Sequence, residues 1–301
     1  ALDQWREKLI DDLGGATEAN QRYLEQIEQI YAVRFLGTQA YVVTFRQVDP
    51  LYVIDLADPL NPRVTGELKI PGYSAYLHPV GEGLLLGVGQ DADLSGSTSG
   101  TKLSLFDVSD PANPITLGQM ETPNQFTHNC WLDDSGQYLF TTDEKPNSFL
   151  ASYDVSDPTD ILPLDQLQTD PGSNAIIHNT YWLNDYVVQS YYTEGVSIYD
   201  VSDPTNIVEV GHYDTSPFTG DGFNGVWGVY PFLPSGNLLV SDIEQGLFIL
   251  GPTYTQACWL EGLITNASTS APVDQATVTL NGTTAFDVTD QFDGLYSTGW
   301  A

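Results

Sequence analysis

The chain has 301 residues, 41% of them hydrophobic, which suffices for one large core and a small appended unit. Forty acidic residues oppose nine basic ones, and a net charge of −31 sets the surface against nucleic acid and anionic lipid as partners. No run approaches the roughly 18 apolar residues of a membrane helix, no signal peptide opens the sequence, and two cysteines, Cys130 and Cys258, are too few for a disulfide scaffold.

Residues 1–30 read as a helical segment. Trp5, Leu9, Ile10 and Leu13 recur at helical spacing, Gly14-Gly15 interrupts them, and Tyr23, Leu24, Ile27 and Ile30 suggest a second short helix. From residue 31 the pattern becomes that of strands, and one turn recurs. Asp55-Leu-Ala-Asp58-Pro59, Asp107-Val-Ser-Asp110-Pro111, Asp154-Val-Ser-Asp157-Pro158 and Asp200-Val-Ser-Asp203-Pro204 each close an apolar strand, and their first acids are 52, 47 and 46 residues apart. That period is the length of a four-stranded propeller blade. A fifth copy, Leu247-Phe248-Ile249-Leu250-Gly251-Pro252, keeps the proline without the acids. The expected fold is therefore mainly β: a β-propeller over residues 31–259 with five four-stranded blades, Thr253–Trp259 serving as the outer strand of the last. Residues 260–301 carry their own turns and read as a partial β-sandwich.

The repeated acids read first as turn locks, since Asp accepts backbone N–H bonds and Pro fixes the following φ; calcium binding is the alternative. A second recurrence falls on the inner strands. Thr127-His128-Asn129, Ile177-His178-Asn179 and Phe223-Asn224-Gly225-Val226-Trp227 place His128, His178 and Asn224 in equivalent positions, with Trp227 beside them. Inner strands line a central channel, so these side chains form a candidate ring for a metal or ligand; the bland reading is that they satisfy backbone groups between blades. Asp91, Asp93 and Ser95 match the first half of a calcium loop, the only cofactor the sequence suggests, but Lys102 stands where the closing carboxylate belongs. No complete catalytic motif appears, although His128 and His178 are the candidate catalytic pair.

Residues 1–120, through Arg34-Phe35-Leu36-Gly37, Tyr41–Pro50 and Tyr76-Leu77-His78-Pro79, resemble bacterial and archaeal secreted proteins with a C-terminal β-propeller domain. Residues 126–252, through His178-Asn179, Gly222–Trp227 and Ser241–Phe248, resemble the LVIVD-repeat propellers of choice-of-anchor B surface proteins. Residues 260–301 are similar to the start of a carboxypeptidase regulatory-like domain. The resemblances imply an exported, cell-surface propeller and transfer no catalytic residues. Three functions are carried forward. The first is a non-enzymatic binding or adhesion module for an extracellular protein or polysaccharide. The second is a metal-dependent hydrolase or lyase at the channel, and the third is a self-associating structural subunit.

Overall fold

A computed structural model describes residues 29–45, 49–70, 72–92, 98–283, 285–289 and 293–301. Four antiparallel sheets of four strands follow one another along the chain. Blade one is β1 (Gln29–Leu36), β2 (Gln39–Phe45), β3 (Asp49–Asp55) and β4 (Arg63–Ile70). Blade two is β5 (Tyr73–Gly81), β6 (Leu84–Ala92), β7 (Thr98–Asp107) and β8 (Ile115–Glu121). Blade three is β9 (Thr127–Leu132), β10 (Tyr138–Asp143), β11 (Leu150–Asp154) and β12 (Leu162–Leu167). Blade four is β13 (Thr180–Leu183), β14 (Tyr186–Tyr191), β15 (Gly195–Asp200) and β16 (Val208–Tyr213).

Two expectations are corrected. The fifth blade has three strands, β17 (Val226–Tyr230), β18 (Leu238–Asp242) and β19 (Gly246–Leu250), rather than four. The stretch expected to be its outer strand turns away, and Cys258 opens β20 (Cys258–Leu263) of a different sheet, paired with β23 (Leu295–Trp300) beside the hairpin β21 (Thr277–Thr279) and β22 (Phe286–Val288). The described residues also contain no helix. Gln29 and Ile30, assigned to the helical segment, open β1 opposite Phe45 and Thr44. Ile30 lies at helical spacing from Ile27, yet it equally begins an alternating run, and pairing with β2 decides between the two. Residues 1–28, where the rest of that assignment falls, lie outside the described residues.

The core is divided between the blades. Alternate residues of each middle strand point to opposite faces, so each blade shares one apolar cluster with the next. Val43, Val53, Leu77, Leu85 and Phe106 fill the first gap, and Leu86, Leu103, Cys130, Leu139 and Tyr153 the second. Phe140, Ile177, Val187 and Tyr199 fill the third, and Val188, Ile198, Val226 and Val240 the fourth. Both cysteines are free: Cys130 is buried, its thiol pushed up to about 12 mainly by that burial, and Cys258 is exposed.

The repeated acidic turn is a set of hydrogen bonds. The first Asp of each copy accepts the backbone N–H two residues on, at 2.8 Å for Asp55, Asp107 and Asp154 and 3.0 Å for Asp200. The second does the same, at 3.1 Å for Asp58, 3.0 Å for Asp110 and Asp203, and 2.9 Å for Asp157. The residue between strand and turn reaches back to the first hairpin of its own blade, as in Val108 N–H to Gly83 O at 2.8 Å and Val155 N–H to Gln137 O at 2.8 Å.

The motif prolines then join blade to blade. A Cβ on Gly66 in β4 would lie 2.0 Å from the Pro111 carbonyl oxygen, and one on Gly118 in β8 would lie 2.2 Å from that of Pro158. In blade three the same role is polar: Ser152 Oγ donates to the Pro204 carbonyl at 2.6 Å, and Asp165 accepts the Ile207 N–H at 2.6 Å. Gly211 holds the corresponding place in blade four, opposite Ile198, but the copy that follows it lacks the acids, and the nearest atoms to a Cβ there are those of Ile198, from 3.6 Å.

This contrast yields a prediction. Gly118→Ala forces blades two and three apart and destabilises by about 1–3 kcal/mol, whereas Gly211→Ala leaves the denaturation midpoint nearly unchanged. Thermal or urea unfolding of the two variants measures the difference.

Candidate metal centre at the channel mouth

Inner strands begin, and second strands end, at the same end of each blade because the two are antiparallel neighbours. His128 in β9, His178 just before β13, Glu144 just after β10 and Tyr192 just after β14 therefore meet at one mouth of the channel. The two imidazoles stack with centroids 4.4 Å apart and planes inclined by 24°. Glu144 Oε2 lies 3.3 Å from His128 Nδ1, and Oε1 lies 3.6 Å from His178 Nε2. One ligand atom from each of His128, Glu144 and His178 falls within 4.8 Å of the others. The His178 side chain is 4% exposed and that of His128 32%, so the cluster opens on the His128 side.

The Trp227 carbonyl orients His178. It accepts from His178 Nδ1, and Asn179 Nδ2 and Ser190 Oγ each reach it at 3.4 Å. With Nδ1 carrying the proton, the lone pair of the neutral ring lies on Nε2, toward Glu144. Burial is the main cause holding both imidazoles below the usual histidine range; His128 lowers His178 further, while Glu144 pulls both the other way. At neutral pH an imidazole lone pair thus faces a carboxylate. A cation between them resolves that opposition. Metal–nitrogen and metal–oxygen bonds of about 2.0–2.2 Å in a tetrahedral site imply donor separations of about 3.3–3.6 Å, and the three donor atoms here, all within 4.8 Å of one another, approach that spacing.

Deeper along the inner strands the axis is filled by rings. Tyr76 and His78 of β5 are 6.0 Å apart, His78 and Trp131 5.4 Å, Trp131 and Tyr181 5.1 Å, and Trp131 and Phe232 5.6 Å. Arg34 of β1 lies 5.3 Å over the Tyr76 ring and donates from Nε to the Leu77 carbonyl at 2.7 Å. Burial, and then the Arg34 charge, push His78 down to about 4.

The residues singled out from the sequence have different fates. His128 and His178 are together. Asn224 donates to Glu244 Oε1 at 2.6 Å, in a segment where Gly225 turns the chain at φ 83° ahead of a bulge between Val226 and Gly228. Trp227 contributes its carbonyl and an indole 5.6 Å from the His178 ring that is 56% exposed. Asp91 is ion-paired with Lys102 at 2.8 Å, and the Lys102 ammonium fills the place of a calcium loop's closing acid; Asp93 and Ser95 lie outside the described residues.

Glu144 escaped the sequence reading, although a signal for it exists. Tyr138, Tyr186 and Leu238 pair with Asp154, Asp200 and Leu250, the last residues of the third strands. Six residues beyond each stand Glu144, Tyr192 and Glu244, so one blade position carries all three.

Fold and site together define a β-propeller with a His-Glu-His cluster at its channel mouth. Residues 16–149 match the Beta propeller domain family and residues 189–215 match the LVIVD repeat. An uncharacterized protein of Methanocaldococcus jannaschii is 46% identical over 128 residues, 42% of this chain and 19% of the relative. One from Archaeoglobus fulgidus is 42% identical over 131 residues, 42% of this chain and 20% of the relative. The chain thus matches about a fifth of the length of these curated relatives. Two solved structures share the fold. A putative 6-phosphogluconolactonase from Bacteroides uniformis has a TM-score of 0.52 and 10% identity over 84% of this chain and 75% of that one. A periplasmic gluconolactonase from Pseudomonas aeruginosa has a TM-score of 0.53 and 12% identity over 86% and 77%.

A second group of titratable side chains lines the cleft between blade four and the C-terminal strands, among them Asp165, Asp170, Glu194, Glu209 and His212. Burial is the first cause that lifts Glu209 to about 7 and Asp165 to about 6. A carboxyl raised in the folded state favours folding below its unfolded pKa, and that contribution is lost as pH rises through the folded value. Histidines held low act oppositely: their contribution is present above about 6.5 and lost on acidification. Glu209 and Asp165 therefore contribute more at pH 6 than at pH 8, while the four histidines held low oppose them over the same fall in pH. Glu209→Gln has a melting temperature above wild type at pH 8, by roughly a few degrees, and no advantage at pH 5. Thermal melts across this range check the sign.

Proposed function

We propose that the channel mouth binds a divalent transition metal through His128, Glu144 and His178 and that the propeller acts as a metal-dependent hydrolase. The observation that carries this reading is the His178 lone pair aimed at the Glu144 carboxylate, with the tautomer fixed by the Trp227 carbonyl. A histidine whose far nitrogen is tied to a carbonyl is the usual arrangement of a metal ligand. Three protein donors leave a coordination position open, as in catalytic rather than structural sites. A metal bound there polarises a substrate carbonyl and lowers the pKa of a coordinated water toward about 7. The strongly negative chain favours accumulation of cations and disfavours anionic substrates. Neutral esters and lactones are the first substrates to try, the two fold neighbours being named as lactonases.

The exposed rings of Phe223, Trp227 and Tyr230 support a second reading, an exported or surface-associated module that binds an extracellular protein or polysaccharide through this face. Elemental analysis and calorimetric titration with Zn²⁺ separate the two. The metal reading expects about one equivalent per chain, a loss of binding of at least tenfold in His128→Ala and His178→Ala, and unchanged binding in Asn224→Ala. Chelation then abolishes ester or lactone turnover. A chain that binds no transition metal while retaining polymer binding sustains the second reading.

A further inference from the structure

Tyr192 stands at the candidate site, in the turn that joins β14 to β15. Its backbone has φ 22°, a region that bulky side chains rarely enter, and it is only 3% exposed. Several contacts enforce that conformation. Val226 N–H donates to the Tyr192 carbonyl at 2.9 Å and Gly195 N–H at 3.1 Å. Gly225 passes so close that a Cβ there would lie 2.3 Å from the same oxygen. Residues held in so sparsely populated a conformation cluster at functional sites.

The conformation aims the phenol at one atom. Tyr192 Oη donates to Glu144 Oε1 at 2.7 Å, while the ring lies 4.9 Å from His178 and edge-on to Phe223 at 5.2 Å. Oε1 is thereby hydrogen-bonded, and Oε2 faces His128. The hydroxyl is the donor of that contact, since a carboxylate oxygen accepts.

We infer that Tyr192 is the positioning residue of this centre: its hydroxyl engages Glu144 Oε1, holds the carboxylate plane fixed, and presents Oε2 to the metal as a single ligand. The inference rests on the metal reading above and extends it to the geometry of coordination. Blade four thus supplies both a ligand, His178, and the group that aims the ligand of blade three.

The test compares wild type and Tyr192→Phe by calorimetric titration with Zn²⁺ and by the visible absorption of the Co²⁺-loaded protein. Removing a hydrogen bond to a metal ligand typically weakens metal binding ten- to hundredfold, and that loss is expected here, together with a shifted Co²⁺ spectrum as Glu144 becomes free to rotate. Melting of the metal-free proteins reports on the fold separately, and Tyr191→Phe, which removes a neighbouring tyrosine hydroxyl bonded to the Ser148 carbonyl and not to Glu144, serves as a second variant that keeps Zn²⁺ affinity within about threefold. Equal affinity and an identical Co²⁺ spectrum in wild type and Tyr192→Phe overturn the role of Tyr192 while leaving the metal site standing. Failure of the wild type to take up either ion overturns the site and this inference together.

Discussion

The carbonyl of the motif proline, seated on the outer strand of the preceding blade, is the contact on which this propeller depends. Each blade is a twisted sheet with two apolar faces, and nothing within a single sheet specifies how far its neighbour stands away. Pro111 against Gly66 and Pro158 against Gly118 set that distance where the strand has no side chain at all. Ser152 meets Pro204 with a hydrogen bond instead. The two aspartates ahead of each proline hold the turn in shape, so the acidic repeat is the fitting that spaces the sheets. Its energetic weight lies in excluded volume and satisfied backbone donors more than in charge.

That spacing is what creates the site. His128 and His178 belong to neighbouring inner strands, and a stack at 4.4 Å exists only because blades three and four approach to a fixed separation. Blade five contributes through backbone alone: the Trp227 carbonyl meets His178, while Asn224 bonds to Glu244. Three blades with one evolutionary pattern of strands thus supply three different chemical parts.

Repetition made most of the architecture legible in the sequence. Acids at 55, 107, 154 and 200 marked the blades, and the shared Thr/Ile-His-Asn run put His128 and His178 in one register. What was not legible has physical causes. Ile30 satisfies both a helical and an alternating pattern, and only the partner strand chooses. The fourth strand of blade five was inferred from length, whereas Cys258 onward finds a better partner in β23. Glu144 is a single acid among forty, conspicuous only when second-strand exits are superposed.

The ring contacts have a consequence for rigidity. Trp131 from blade three touches Phe232 from blade five, and Tyr181 closes against both, at 5.1 and 6.0 Å. The blades that carry His128, His178 and the Trp227 carbonyl are therefore joined by side chains as well as by their sheets, and the three parts of the cluster share one aromatic joint.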